Sequence, residues 1–181
     1  DGHYCSFIKR NRIRVEITYQ NGKKEGVESR YFLDGIRKYE MRTWSNGIKN
    51  GLYIDFNGNG TIEHLLTYKN GLLHGPCVIN WSEGEKNYEG IYRNDFRDSI
   101  WTYYTSGDRY HDTLPWVDKQ FEYRDGKPYL ISAWDKNVKQ TVKNGNGVLR
   151  TEYSYEIPTT TIYKNGLKNG KRITFNSNGT I

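Results

Sequence analysis

The 181-residue sequence is poor in the residues that build helices, membrane spans and disulfide frameworks. It has one alanine, Ala133, and one methionine, Met41, so helix-favouring side chains are scarce. No apolar run reaches the ~20 residues that a membrane-spanning helix needs, and no signal-peptide pattern opens the sequence. Two cysteines are too few for a disulfide framework. These absences disfavour a helical bundle and leave the compartment, cytoplasmic or exported, open.

Glycine and aromatic residues, by contrast, are abundant and recur in one motif. Aromatic side chains make up 15% of the chain, and there are 19 glycines. The motif reads aromatic, any residue, Asn or Asp, Gly, three residues, Gly, and its clearest copy runs from Tyr68 to Gly75. Other copies begin at Tyr19, Trp44, Tyr92 and Tyr163, and Tyr123 begins a half copy. The glycines predicted to be structural are Gly22, Gly26, Gly47, Gly51, Gly71, Gly75, Gly166 and Gly170.

Each Asn-Gly step predicts a tight turn between two strands. Both central residues of a type I′ hairpin turn need positive φ, which Asn and Gly tolerate well. The second glycine, four residues later, predicts a β-bulge as the next strand begins. With the further turn glycines Gly35, Gly60 and Gly84, turns recur every 11 to 13 residues. The pattern predicts an all-β fold, an elongated open antiparallel meander of stacked β-hairpin repeats of about 24 residues each.

Alternation after the second glycine predicts which residues share a strand face. Leu52 and Ile54 alternate, and a period of two puts them on one face. In the following copy the alternating pair is Cys77 and Ile79, which lies one position further from the second glycine of its motif. We therefore expect an extra bulge after Pro76.

The repeat spacing divides the chain into four segments. Residues 1–18 form an N-terminal strand or cap, and residues 19–111 form the regular hairpin repeats. Residues 112–118 form an inserted loop that contains a proline and Trp116. Residues 119–181 hold degenerate and C-terminal repeats, with a second insertion within 133–160. Insertions in repeat proteins often carry the binding surface.

The motif resembles MORN repeats, and more closely the MORN-variant repeats of YwqK-like bacterial proteins of the antitoxin family. Tyr88-Glu-Gly-Ile-Tyr92 is similar to the MORN opening, and Tyr68–Gly75 and Tyr163–Gly170 resemble the core of the variant. Trp134-Asp-Lys-Asn137 and the later Lys143-Asn-Gly-Asn-Gly147 also look like a segment of that bacterial group. The resemblance covers about Tyr19 to Ile181.

This resemblance implies a stack of hairpins that binds proteins or, in some members, membrane lipid. It implies no catalytic residues and no cofactor. The sequence departs from the pattern at Asp95, at Ser99 and after Gly126. The fourth and fifth units are therefore expected to differ from the others in what they bind.

No catalytic or phosphate-binding motif is present, so we predict a non-enzymatic protein without cofactor or metal. His3 and Cys5 lie two apart, and His74 and Cys77 lie three apart, which on paper resembles a Cys2His2 zinc site. Three repeats separate the two pairs, which places them roughly 30 Å apart at the usual strand spacing. The same distance excludes a disulfide between the two cysteines.

Charge is unevenly distributed along the sequence. The net charge is +6, yet residues 51–125 carry 7 basic and 12 acidic groups. An acidic middle between basic ends argues against one continuous nucleic-acid track. Trp116 lies in this acidic middle, and Trp is enriched among the contacts that dominate binding energy. The hypothetical partner-binding residues are Trp116, Asp112, Asp118, Asp108, Tyr103, Tyr104, Tyr110, Phe121 and Tyr123.

The predicted function is therefore protein–protein interaction, as a scaffold or a toxin-neutralising partner of the YwqK-like type. We expect the partner to present a basic contact surface. Trp116 could equally pack as a plug over the sheet edge. A cell-surface glycan or an anionic membrane is the alternative ligand, and pairing of exposed edge strands between copies stays open.

Overall fold

The computed structural model describes residues 1–9, 11–106, 116–151, 159–170 and 172–174. These residues contain strands and turns and no helix. The chain divides into two compact units, Asp1–Arg97 and Asp98–Ile181. The strands of the first unit are β1 (Gly2–Phe7), β2 (Ile13–Gln20), β3 (Lys23–Tyr31), β4 (Lys38–Ser45), β5 (Ile48–Phe56), β6 (Ile62–Lys69), β7 (Leu72–Asn80) and β8 (Lys86–Arg93).

The ninth strand, β9 (Phe96–Tyr104), begins in the first unit and continues into the second. The second unit goes on with β10 (Val117–Arg124), β11 (Lys127–Trp134), β12 (Gln140–Lys143), β13 (Asn146–Thr151), β14 (Thr159–Lys164), β15 (Leu167–Lys168) and β16 (Ile173–Thr174). The sheet order follows the chain from β1 to β15, with β16 paired to β14. The prediction of an all-β, open antiparallel meander is confirmed.

Two-residue turns connect the strands of each hairpin. Asn70 and Gly71 have φ values of 52° and 88°, the positive pair that a type I′ turn requires. All eight glycines singled out in the sequence likewise have positive φ. The backbone N–H of Gly71 donates to the carbonyl of Lys49 at 2.8 Å, and that of Gly47 to the carbonyl of Lys24 at 2.9 Å. Each turn is therefore hydrogen-bonded to the preceding hairpin, which fixes the step between repeats.

In the first unit, the second glycine of each motif copy lies beside a register shift; these glycines are Gly26, Gly51 and Gly75. Between β2 and β3, Thr18 pairs with Glu25 and Glu16 with Ser29, so one residue of β2 faces three of β3. Equivalent shifts occur next to Gly51 in β5 and next to Gly75 in β7. A glycine at this point avoids the strain that a Cβ would bring at positive φ.

The third copy keeps the same register as the first two. Gly51 pairs with Tyr68 and Gly75 with Tyr92, so each glycine faces the next motif aromatic. The extra bulge expected after Pro76 is therefore wrong. The apolar residues of the third copy simply occupy the opposite face of the sheet.

The interior of the first unit contains paired charges. Glu28 is 1% exposed, and its carboxylate accepts hydrogen bonds from Lys24 Nζ at 2.8 Å, Arg30 Nε at 3.0 Å and Trp44 Nε1 at 2.8 Å. Burial alone would raise the pKa of Glu28, but the bonds from Lys24 and Arg30 outweigh it and lower that pKa. Arg30 also lies 3.8 Å from the buried Glu40. Within this unit a carboxylate is thus buried with its hydrogen-bonding capacity satisfied.

The interior of the second unit is apolar. Leu130, Ala133, Val142 and Tyr163 form a buried cluster, against which Phe121 and Leu149 pack. Their strands are β10, β11, β12, β13 and β14, so every long strand after β9 contributes to it. The core therefore depends on the association of several hairpins.

The stretch 133–160, interpreted from the sequence as an insertion, contains β12, β13 and their connecting turn. Asn144 and Gly145 form this turn with φ values of 49° and 76°. Val142 stands two residues before Asn144, where other copies have an aromatic residue, and it is fully buried. The stretch thus includes a short hairpin of the same design. Residues 152–158 lie outside the described part of the chain.

Candidate functional site

A cleft in the second unit lies where several strands end. Its volume is about 340 Å³, and its walls include Trp116, Trp134, Asp118, Asp135, Asn137 and Arg150. Trp116 directly precedes β10, whereas Trp134 is the last residue of β11. Two indoles in one concave surface provide a large apolar contact area with a polar N–H on each ring. The residues around them carry both signs of charge.

Backbone hydrogen bonds hold both tryptophans in place. The N–H of Thr105 donates to the carbonyl of Trp116 at 3.0 Å, and the N–H of Trp116 donates to Thr105 Oγ1 at 3.3 Å. Trp134 pairs with Gln140 across β11 and β12. The rings therefore project from ordered strand ends, which lowers the entropy cost of contacting a ligand.

The two aspartates at the cleft already have partners. Asp118 Oδ2 accepts from Lys119 Nζ at 2.8 Å. Asp135 Oδ1 accepts the backbone N–H groups of Asn137 and Lys139 at 2.9 and 3.0 Å, which closes the turn after β11. Lys136 and Arg150 are exposed. The formal charges of these four residues cancel, but the two that are exposed to a ligand are positive, while both aspartates are half-buried.

Three of the predicted partner-binding aromatics make ring contacts within the sheet. The ring centroids of Tyr103 and Phe121 are 5.9 Å apart, and Tyr123 lies 6.1 Å from Trp101. Trp101 is fully buried, and the other three side chains are half-buried. These side chains therefore contribute to packing within the sheet, and their role in partner binding stays a prediction.

The remaining predicted residues fall in three places. Trp116 and Asp118 lie at the cleft. Tyr104 pairs with Val117 across β9 and β10. Asp108, Tyr110 and Asp112 lie outside the residues that the structure describes.

Sequence reasoning missed Trp134 and Arg150 as neighbours of Trp116. The available signal was the segment Trp134-Asp-Lys-Asn137, which resembles a recurring segment of the bacterial repeat proteins. The repeat spacing, however, places that segment in an insertion. Its distance of 18 positions from Trp116 hides the fact that β10 and β11 form one hairpin.

One group of metal-ligating side chains comes together in the described part of the first unit, namely His3, Cys5 and Glu16. Neither His74 nor Cys77 belongs to such a group there. His74 Nδ1 lies 3.1 Å from Asn94 Oδ1. Burial raises the pKa of the Cys77 thiol to about 11, as expected for an inert thiol in the interior.

Comparison with known proteins does not place the chain in a family. No protein-family model and no curated protein matches it. None of the described segments is a helix long and apolar enough to cross a membrane.

Proposed function

We propose that this chain is a non-enzymatic hairpin-repeat module that binds a partner protein through the cleft at Trp116 and Trp134. The observation that carries the proposal is the meeting of the two indoles in one concave surface of the second unit. Trp is enriched among the few interface residues that dominate binding energy, especially in pockets that exclude water. The resemblance to MORN-variant repeats supports the same class of function, as a scaffold or a neutralising partner.

The charges at the cleft favour an acidic partner segment. Asp118 and Asp135 are engaged within the chain, whereas Lys136 and Arg150 are exposed at the same cleft. A partner carboxylate can pair with the guanidinium of Arg150 in a two-point arrangement. We therefore replace the basic partner expected from the sequence with a segment that combines an apolar or aromatic anchor with Asp or Glu.

Single substitutions in the cleft test the proposal once a partner has been captured and purified. Trp116→Ala and Trp134→Ala should each weaken its dissociation constant at least about 30-fold, because truncation of a hot-spot residue costs about 2 kcal/mol or more. Arg150→Glu should weaken it about 10-fold. Trp81→Ala is the matched control, since Trp81 is 38% exposed in a turn of the first unit; this variant should bind as the wild type does.

Thermal melting of each variant separates binding from stability. Trp116→Ala should melt within a few degrees of the wild type, because Trp116 lies outside the strands and lines the cleft. Full binding by both tryptophan variants would refute the proposal. Lost binding together with a large drop in melting temperature would make Trp116 a packing plug.

A glycan is the second candidate ligand, and the paired indoles are the reason. Aromatic faces and nearby polar groups such as Asn137 are also what a sugar ring requires. A glycan array should therefore be probed with the wild type and with Trp134→Ala. A strong glycan signal that disappears in the variant would mean that the cleft binds a glycan and not a protein. Binding to anionic vesicles that survives both Trp116→Ala and Trp134→Ala would mean that the ligand binds outside the cleft.

A further inference from the structure

Three side chains of different chemistry meet on the first two strands. His3 and Cys5 are two residues apart on β1, so they lie on the same face of the sheet. Cys5 pairs with Glu16 of β2. Cys5 Sγ lies 3.3 Å from His3 Nε2, and one ligand atom from each of the three residues lies within 4.8 Å of the other two.

This set of atoms suits a transition metal ion. Thiolate, imidazole and carboxylate are the three protein ligands of Zn²⁺, at about 2.0 to 2.3 Å from the ion. Atoms that share one tetrahedral ion are therefore separated by roughly 3 to 4 Å. The sulfur and the imidazole nitrogen already meet this condition, and a small rotation of the flexible Glu16 side chain brings its carboxylate to the same distance. We propose that His3, Cys5 and Glu16 form a three-ligand site for Zn²⁺, with the fourth position open to solvent.

The surroundings of Glu16 resemble the outer shell of a metal site. The phenol of Tyr31, on β3, donates a hydrogen bond to Glu16 Oε1. Lys38 Nζ lies 3.9 Å from the same oxygen. A carboxylate that is oriented through one oxygen can offer the other to an ion, and such supporting hydrogen bonds typically alter metal affinity 10 to 100-fold, as an order of magnitude. Tyr31 is therefore a positioning residue for this site.

Sequence spacing could not reveal the site. The sequence shows the pair His3 and Cys5, but a Cys2His2 pattern would combine it with His74 and Cys77, far along the chain. Glu16 becomes a neighbour of Cys5 only through the pairing of β1 with β2. In that pairing Cys5 lies opposite Glu16, and His3 lies opposite Thr18.

Zinc titration of the full chain tests the proposal. The protein is stripped with a chelator and titrated with Zn²⁺ against a chromophoric competitor. We expect one ion per chain, and we expect His3→Ala and Cys5→Ser each to weaken binding at least about 100-fold. Tyr31→Phe should weaken it about 10-fold. His74→Ala is the matched control, because His74 belongs to no metal-ligating group among the described residues, and its affinity should equal that of the wild type.

Two further readouts separate the site from adventitious binding. Co²⁺ should give a thiolate charge-transfer band in the wild type that is absent in Cys5→Ser, although that variant retains the buried Cys77. Zn²⁺ should raise the melting temperature of the wild type but not that of Cys5→Ser, since an ion that binds only the folded chain stabilises it. Equal melting of the two metal-free proteins shows that the variant folds.

Three results would overturn the proposal. The first is no stoichiometric uptake of Zn²⁺ by the wild type. The second is uptake that His3→Ala and Cys5→Ser leave unchanged. The third is one ion per two chains, because the proposed ligands all belong to one chain.

Discussion

In the first unit the charged Glu28 and Glu40 are buried together with the apolar Ile17, Cys77 and Ile79, whereas the buried side chains of the second unit include Trp101, Leu130 and Val142 and no charged residue among those described. The hairpin turns of the two units nevertheless follow one design, with Asn or Asp before Gly or Asp at positive φ. The backbone geometry of the turns therefore tolerates either a charged or an apolar interior. What differs is the kind of interaction that each unit loses when it is perturbed.

An ion-paired interior responds to pH and to the loss of one partner, whereas an apolar interior responds to lost volume. Breaking a buried pair leaves an uncompensated charge. Removing a buried aliphatic group leaves a cavity. Amide hydrogen exchange, read separately for the residues of each unit, can distinguish these responses.

The largest effect is expected for Leu130→Ala in the second unit. Leu130 is fully buried and packs in the apolar cluster. Its truncation should lower the free energy of unfolding by about 3 kcal/mol, because comparable Leu→Ala changes cost about 2 to 5 kcal/mol. The surface change Leu167→Ala, at a side chain that is 52% exposed, is the control and should cost far less. A loss below about 1 kcal/mol would mean that the second unit does not depend on this cluster.

A smaller effect is expected for Glu28→Gln in the first unit. The change removes the carboxylate that Lys24, Arg30 and Trp44 share. Breaking a fully buried pair costs about 3 to 5 kcal/mol, but Lys24 and Arg30 keep some contact with solvent, so we expect about 2 kcal/mol. Glu63→Gln on β6 is the control. Unchanged exchange protection in the first unit would mean that the hydrogen-bonded carboxylate of Glu28 does not contribute to its stability.

Acidification should weaken the first unit before the second. The lowered pKa of Glu28 contributes stability above its unfolded value of about 4.3, and this contribution is lost as the pH falls through the folded value. The backbone N–H of Ile36 and the Arg37 side chain lower the pKa of Asp34 to about 2, which adds to the same trend at the turn surface. Exchange protection measured between pH 5 and pH 2 should therefore fall first in residues 1–97.

The second unit has a weaker version of this acid response. Arg124 lowers the pKa of Glu122, but both side chains are partly exposed, and such surface pairs contribute little to stability. Simultaneous loss of protection in both units would contradict the distinction between their interiors.

The smallest effect concerns the five-residue turns, which differ between the units at one position. At the fourth position of these turns, Gly60 (57–61) and Gly84 (81–85) have positive φ in the first unit, whereas Val138 (135–139) has a φ of 59° in the second. A β-branched residue at positive φ is strained. Val138→Gly should therefore raise the free energy of unfolding by about 1 kcal/mol, measured by denaturant titration. Val138→Ala keeps the unfavourable φ, so it should raise the free energy of unfolding by less. Equal increases from both variants would mean that the exposed valine side chain, and not backbone strain, destabilises the turn.

Much of the fold could be predicted because the Asn-Gly turns act locally. The φ requirement at Asn70 and Gly71 determines the connection whatever the strands bury. The buried face could not be predicted in the same way, because alternation assigns apolar residues to the interior. Leu52 is 49% exposed, while Glu28 is almost completely buried and accepts hydrogen bonds from Lys24, Arg30 and Trp44, the last from the neighbouring strand β4.

The candidate site was predicted only in part. Trp116 stood out because it follows a proline in a stretch that breaks the repeat. Tyr103 and Phe121 looked equally available, but the register of β9 with β10 packs their rings together. Trp134 joins Trp116 because the two residues lie at equal sequence distances on either side of Asp125, at the end of the β10–β11 hairpin away from its turn.

The hydrogen bonds between successive turns have a direction. In the first unit the backbone N–H group of the later turn donates to a backbone carbonyl of the earlier hairpin: Gly47 to Lys24, Gly71 to Lys49 and Asp95 to Leu73. A chain that leaves the ribosome from its N-terminus thus completes each acceptor before the matching donor is synthesised. Every new hairpin finds a finished edge on which to dock, so the repeat can grow one hairpin at a time during translation without waiting for the C-terminal residues.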